Sequence, residues 1–159
     1  MAKIFPGRYT TQIEGDFVVF LIGARVNRLL MPHKWMPVFS AMPRMLKELA
    51  QKPELGMMYA YNMVGWRTVS LVQYWRSFEQ LHAYAHARDR EHLPAWAAFN
   101  RAVGGNGTVG VWHETYKVRA GEYECVSVNM PRWGLANAGT HVEAVGRLQS
   151  AKSRMGQAE

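Results

Sequence analysis

Six histidines, His33, His82, His86, His92, His113 and His141, are the side chains able to act as bases or metal ligands near neutral pH. His82 and His86 stand at i, i+4, a spacing that can hold one metal ion. Between them Ala83-Tyr84-Ala85 supplies no general base, and no nearby carboxylate completes a ligand set, so the pair reads as surface or half-buried. His113 lies in Trp112-His113-Glu114-Thr115-Tyr116. Strand alternation puts Val111, His113 and Thr115 on one face and Trp112, Glu114 and Tyr116 on the other. A strand histidine beside bulky aromatics is more often a hydrogen-bonded core residue than a ligand. His33 precedes a helix and either points into a cleft between sheet and helices or caps that helix.

No nucleophile motif competes with these. The chain has no Gly-x-Ser-x-Gly elbow, no Gly-x-x-x-x-Gly-Lys phosphate loop and no strand-linked Gly-x-Gly-x-x-Gly. Gly104-Gly105-Asn106-Gly107 follows a helix and precedes a strand, which makes it a helix-ending turn. Cys125, the single cysteine, has no adjacent histidine and reads as an inert thiol; alone it excludes a disulfide framework and a multi-cysteine zinc site. What remains is an abundance of 6 Trp, 7 Tyr, 6 Phe and 10 Met in 159 residues. Most must be core, and the surplus points to an apolar pocket for a planar or lipophilic ligand.

The elements that would position these groups follow from hydrophobic period and punctuation. Phe17–Asn27 is apolar on both faces and predicts a central strand, with Gly23 marking a bulge or a close approach to the backbone. Trp35, Val38, Phe39, Met42, Met45, Leu46 and Leu49 recur at helical spacing, with Pro43 expected to kink the helix or start a second piece. Met57–Met63 and Thr68–Trp75 flank Gly65-Trp66-Arg67 as a hairpin. Ser77 caps a helix that runs toward His92 and meets Pro94, and a further helix carries Trp96, Phe99 and Val103. Thr108–Val118 and Glu122–Val128 are the last strands, followed by a loop at Asn129–Gly134. The order β-α-β-β-α-β plus an extra C-terminal strand is an α+β, ferredoxin-like layout. Residues 1–145 form a single domain, and the Ser-, Ala-, Gly- and Gln-rich stretch 146–159 reads as a flexible tail. An open sheet with helices on one face must hide the other, and a homodimer is the expected solution.

Composition narrows the function class. Hydrophobic residues at 48% and charged residues at 19% exclude bulk disorder. The longest apolar stretch, Phe17–Ile22, is too short to span a bilayer, and the first residues lack the apolar core of a signal peptide, so a reducing cytoplasm is expected. The net charge is +7, yet the basic residues are scattered along the chain and no helix carries a basic stripe. That distribution argues against nucleic acid and membrane as partners and leaves a small hydrophobic or aromatic molecule.

Several stretches carry a family resemblance. Leu71-Val72-Gln73-Tyr74-Trp75-Arg76-Ser77-Phe78-Glu79, Glu91-His92-Leu93-Pro94-Ala95-Trp96 and Val111-Trp112-His113-Glu114-Thr115-Tyr116 are three of them. Phe5-Pro6-Gly7-Arg8-Tyr9, His33-Lys34-Trp35 and Asn129-Met130-Pro131 complete the set. Together they resemble the antibiotic-biosynthesis-monooxygenase superfamily of dimeric α+β barrels, and within it the fumagillin-pathway-monooxygenase subgroup. The resemblance implies an oxidoreductase of monooxygenase type. Some such proteins oxygenate electron-rich substrates without metal or flavin, whereas haem-degrading members and the more distant aldoxime dehydratases hold haem. In the haem branch a Trp-x-Ser strand end precedes a helix whose histidine ligates iron. Trp75 and Ser77 match the first element and His92 falls close to the ligand position, although Pro94 interrupts the helix two residues later. With haem, the resemblance implies His92 as the iron ligand and Trp75 beside the distal pocket. Without it, His33 or His113 is the implied base, and Trp75, Tyr74, Asn27 or Arg25 supply donors. A haem-dependent dehydratase and a non-catalytic binder of haem or of a lipophilic ligand are the alternatives.

Overall fold

The computed structural model describes residues 2–87, 97, 99–101 and 104–156. The strands are β1 (Phe5–Gln12), β2 (Phe17–Val26), β3 (Met57–Gly65), β4 (Thr68–Trp75), β5 (Val109–Val118), β6 (Ser127–Met130) and β7 (Thr140–Glu143). The helices are α1 (Pro32–Gln51), α2 (Phe78–His86) and a short α3 (Ala151–Arg154); residues 97 and 99–101 are also helical. β2-α1-β3-β4-α2-β5 is the expected ferredoxin-like unit, with its antiparallel sheet in the order β3-β4-β2-β5.

β2 is apolar on both faces because both faces are covered. On the helix side Val18 and Trp75 pack with Leu49, Leu81 and Tyr84. On the other side Phe17, Val72 and Tyr74 pack with Ile13, Leu135 and Tyr123, so the chain's own C-terminal segment covers part of that face. Gly23 is where the indole of Trp112 crosses the sheet: a Cβ there would lie 2.5 Å from Trp112 Nε1. The β3–β4 turn puts a non-glycine residue, Arg67, at φ 71°. Its side chain compensates by donating to the carbonyls of Val26, at 2.8 Å, and Asn27.

α1 begins with Pro32 in its first turn and continues past both Pro37 and Pro43, with no second piece starting at Pro43. Among the α1 side chains described, Leu49 alone is buried, so the helix is fastened to the sheet at its C-terminal end. Ser77 caps α2 as expected, accepting from Gln80 N, but the helix stops at His86.

A second sheet, ordered β6-β1-β7, is absent from the sequence reading. The strand expected at Glu122–Val128 begins only at Ser127, because the Cys125 carbonyl is already taken by the Thr10 hydroxyl at 2.8 Å. Asn129 and Met130, expected in a loop, belong to that strand, and Asn129 Oδ1 accepts from Gly7 N at 2.9 Å across the irregularity in β1. Where the composition of the tail predicts fraying, residues 146–156 form a 3-10 turn and α3. There the Arg154 guanidinium pairs with Glu124 and bonds the carbonyls of Leu148 and Gln149.

His141 on β7 stacks on Tyr9 at 4.6 Å and meets the Phe5 ring edge-on at 4.9 Å. Both ring nitrogens are shut off from water, without a partner among the described residues. Burial, aided by the positive charge of Arg132, holds its pKa below the ordinary value. Above about pH 6.5 the imidazole is neutral folded and unfolded alike, and stability does not depend on it. As pH falls below that, the unfolded chain takes the proton first and the fold loses stability until the lower folded pKa is passed. Urea midpoints measured between pH 7.5 and 5 should therefore fall, and His141→Phe should flatten the decline; an equal slope in the variant would rule His141 out.

Candidate functional site

The side of the four-stranded sheet that faces α1 and α2 offers the candidate site. In the register of β2, Phe20 lies opposite Gln73 on β4 and Thr115 on β5, and Ile22 lies opposite Leu71 and His113. These residues share one face with Val18 and Trp75. The middle of the wall is apolar except at Gln73, His113 and Thr115, with Lys117, opposite Val18, and Asn62, opposite Leu71, at its margins.

Gln73 is buried, at 6% exposure, and it is the residue the sequence reading passes over. Its side-chain amide accepts from Trp75 Nε1 at 2.9 Å. An indole N–H can only donate, so the amide atom facing it must be oxygen and the orientation of the group is fixed. The amide nitrogen then points elsewhere, and among the described residues its two N–H groups have no acceptor. The nitrogen is not among the buried polar atoms left without a partner, so it opens onto the cleft, where a bound molecule can accept from it. The signal in the sequence was a lone amide in an apolar strand, two residues before a tryptophan on the same face.

Trp75 is in the core rather than on the cleft surface. It is 1% exposed and packs against the Tyr84 ring at 5.9 Å, so its part is to hold Gln73. His113 is exposed on β5, on the predicted face, with its ring 5.7 Å from that of Phe20. Because β4 and β5 flank β2, about 10 Å separates their backbones, enough to seat a ring between Gln73 and His113. His33 is exposed in the first turn of α1. Among the described residues no hydrogen bond or ring contact links His33, Trp75 and His113. His92, the implied iron ligand, lies outside the described residues.

Two other implied donors belong to the opposite face. Tyr74 and Arg25 alternate away from the helices, since Tyr74 pairs with Val19 and Arg25 with Thr68. Burial, with Tyr61 adjacent, holds the Tyr74 hydroxyl far above the usual phenol range, so it stays protonated. Asn27 is engaged at the sheet's end, where its amide donates to the Gly107 carbonyl at 3.2 Å. The paired histidines of α2 stack at 4.1 Å, with His86 Nδ1 2.9 Å from the His82 carbonyl. Among the described residues no group of three or more His, Cys, Asp or Glu could hold a metal ion.

Comparison with known proteins gives this arrangement a family. The model of the monooxygenase af470-like family matches residues 17–135, a span that includes the whole ferredoxin-like unit. Monooxygenase af470 of Aspergillus fumigatus is 30% identical over 151 residues, covering 81% of this chain and 53% of the relative. The chain therefore spans about half the length of that curated relative. A solved aldoxime dehydratase (OxdRE, in complex with butyraldoxime) superposes with a TM-score of 0.70 at 13% identity, and a second aldoxime dehydratase with 0.65 at 15%. Each alignment covers 87% of this chain and 44% of the other, and at such identities it shows a shared fold. With a family match across the sheet and both of its faces, the chain belongs to the monooxygenase af470-like family.

Proposed function

We propose that the chain is an oxygenase of monooxygenase type that binds a small hydrophobic or aromatic substrate against Phe20, Ile22 and Leu71. The observation that carries this reading is the Gln73 amide, locked by Trp75 with its two N–H donors open to the cleft on a largely apolar wall. In such surroundings donors fixed in advance stabilise an oxyanion far better than water does. His113, on the same wall, is the base that takes a proton from a phenol or an activated CH₂. The resulting enolate or phenolate oxygen accepts from Gln73. The electrons come from the substrate itself: a CH₂ carbon and O₂ give a carbonyl and water, so no external reductant enters the balance.

Haem would meet an apolar wall in the same residues. On that wall the imidazole is His113, and among the described residues nothing bonds its second nitrogen, the partner that fixes a metal-ligating histidine. The uncovered part of the face opposite the helices, with Trp112 and Tyr116 exposed, fits a homodimer, and a second copy would complete its cover.

The test is oxygen uptake with a panel of phenols and 1,3-diketones, run beside a hemin titration. Uptake with stoichiometric product and no stable haem spectrum is expected. Tight substrate binding without uptake would make the chain a carrier. A saturable Soret band lost in His92→Ala would replace the cofactor-free chemistry by haem chemistry.

A further inference from the structure

Three loops are tied together at the end of the sheet where β2 finishes. Val26 N donates to the Arg67 carbonyl at 2.8 Å, and Asn27 N donates to the Thr108 carbonyl at 2.9 Å. Trp35 Nε1 donates to the Leu29 carbonyl at 3.2 Å, which brings the start of α1 to the same end. The cap so formed is apolar and open to water: Leu30 is 97% exposed, Trp66 84%, Val64 73% and Met36 58%. Large apolar side chains at adjoining loop tips, held by main-chain bonds rather than collapsed inward, mark a contact surface.

The charge of this cap has one sign. The sequence holds no Asp or Glu between Asp16 and Glu48 or between Glu54 and Glu79, and none in residues 104–113, the described segments that build it. Arg25, Arg28 and Lys34 belong to the same segments, as does Arg67, whose guanidinium is spent on the Val26 and Asn27 carbonyls. Basic residues that are scattered along the chain are thus gathered by the fold, because antiparallel strands return their turns to one end. We propose that this end docks on an anionic lipid surface, with Leu30 and Trp66 entering the headgroup layer and the basic side chains meeting lipid phosphates. Apolar tips ringed by basic groups without a carboxylate match that partner. A second copy set against the same cap would meet its own like charges.

The experiment uses the full chain in flotation with phosphatidylcholine vesicles, with and without phosphatidylglycerol. Retention on the anionic vesicles, its loss at high salt, and a blue shift of tryptophan emission are expected. Leu30→Ser with Trp66→Ser, and separately Arg28→Glu with Lys34→Glu, should each lower partitioning by about tenfold or more while circular dichroism stays unchanged. Leu30, Trp66 and Arg28 are exposed and Lys34 is half-buried, so the variants should fold. Failure of the wild-type chain to float with anionic vesicles at low salt would overturn the proposal. So would wild-type retention by both variants, or self-association lost in the Leu30→Ser, Trp66→Ser protein, which would assign the cap to a second copy.

Discussion

Gln73→Leu should lower kcat by about 10²- to 10³-fold, the range associated with removing one preorganised oxyanion donor. The same change strands the Trp75 indole N–H in the core and should reduce stability by about 1–3 kcal/mol. Gln73→Glu separates the two effects. It keeps an acceptor for Trp75 but replaces the donor nitrogen by a second oxygen, which repels a developing negative charge. Steady-state kinetics of both variants, beside urea unfolding, should therefore give a fall in kcat common to both, with KM changing much less. If Gln73→Glu keeps its kcat within a few-fold of the wild-type value, the amide has no part in the reaction and the wall is simply a packing surface.

Trp75→Ala is the change expected to damage the fold most, by about 3–5 kcal/mol. The side chain is 1% exposed and sits in the cluster with Val18, Leu49, Leu81 and Tyr84, joining β4 to both helices. Because one element of each layer meets there, the resulting cavity cannot be closed by moving a single side chain. Trp75→Phe keeps much of the ring but removes the N–H, so Gln73 loses the bond that fixes its amide. That variant should retain most of its stability and lose turnover. An alanine variant within about 1 kcal/mol of wild type in urea unfolding would show that the cluster relaxes around the loss, contrary to close packing.

These two positions also show how far the sequence could be read. The ferredoxin-like unit was legible because its strands and helices keep their periods: Phe17–Val26 is largely apolar, Thr68–Trp75 is rich in β-branched and aromatic residues, and α1 repeats its apolar residues with helical spacing. Gly23 was legible as a place of close approach, and Trp112 is what approaches. The β6-β1-β7 sheet was not legible. β1 reads Phe-Pro-Gly-Arg-Tyr-Thr-Thr-Gln, with punctuation residues inside it, while β6 and β7 have only four residues each. Their strand state comes from partners more than a hundred residues away, not from local preference. Within the candidate site, alternation placed His113 correctly and would have placed Tyr74 and Arg25 on the far side had it been applied to β2 and β4. Gln73 escaped notice because a single amide in a strand has no motif; only its bond to Trp75 distinguishes it.

The attachment of α1 has a further consequence for heat. A helix fastened by Leu49 near one end contributes little to the cooperative unit formed by the sheet, so its opening turns can exchange their amide hydrogens by local fraying. The helix side of the sheet then loses its definition at a lower temperature than the sheet itself melts. Activity and tertiary structure would report two different transitions, and the thermal optimum of turnover would measure the hold of α1 rather than the stability of the fold.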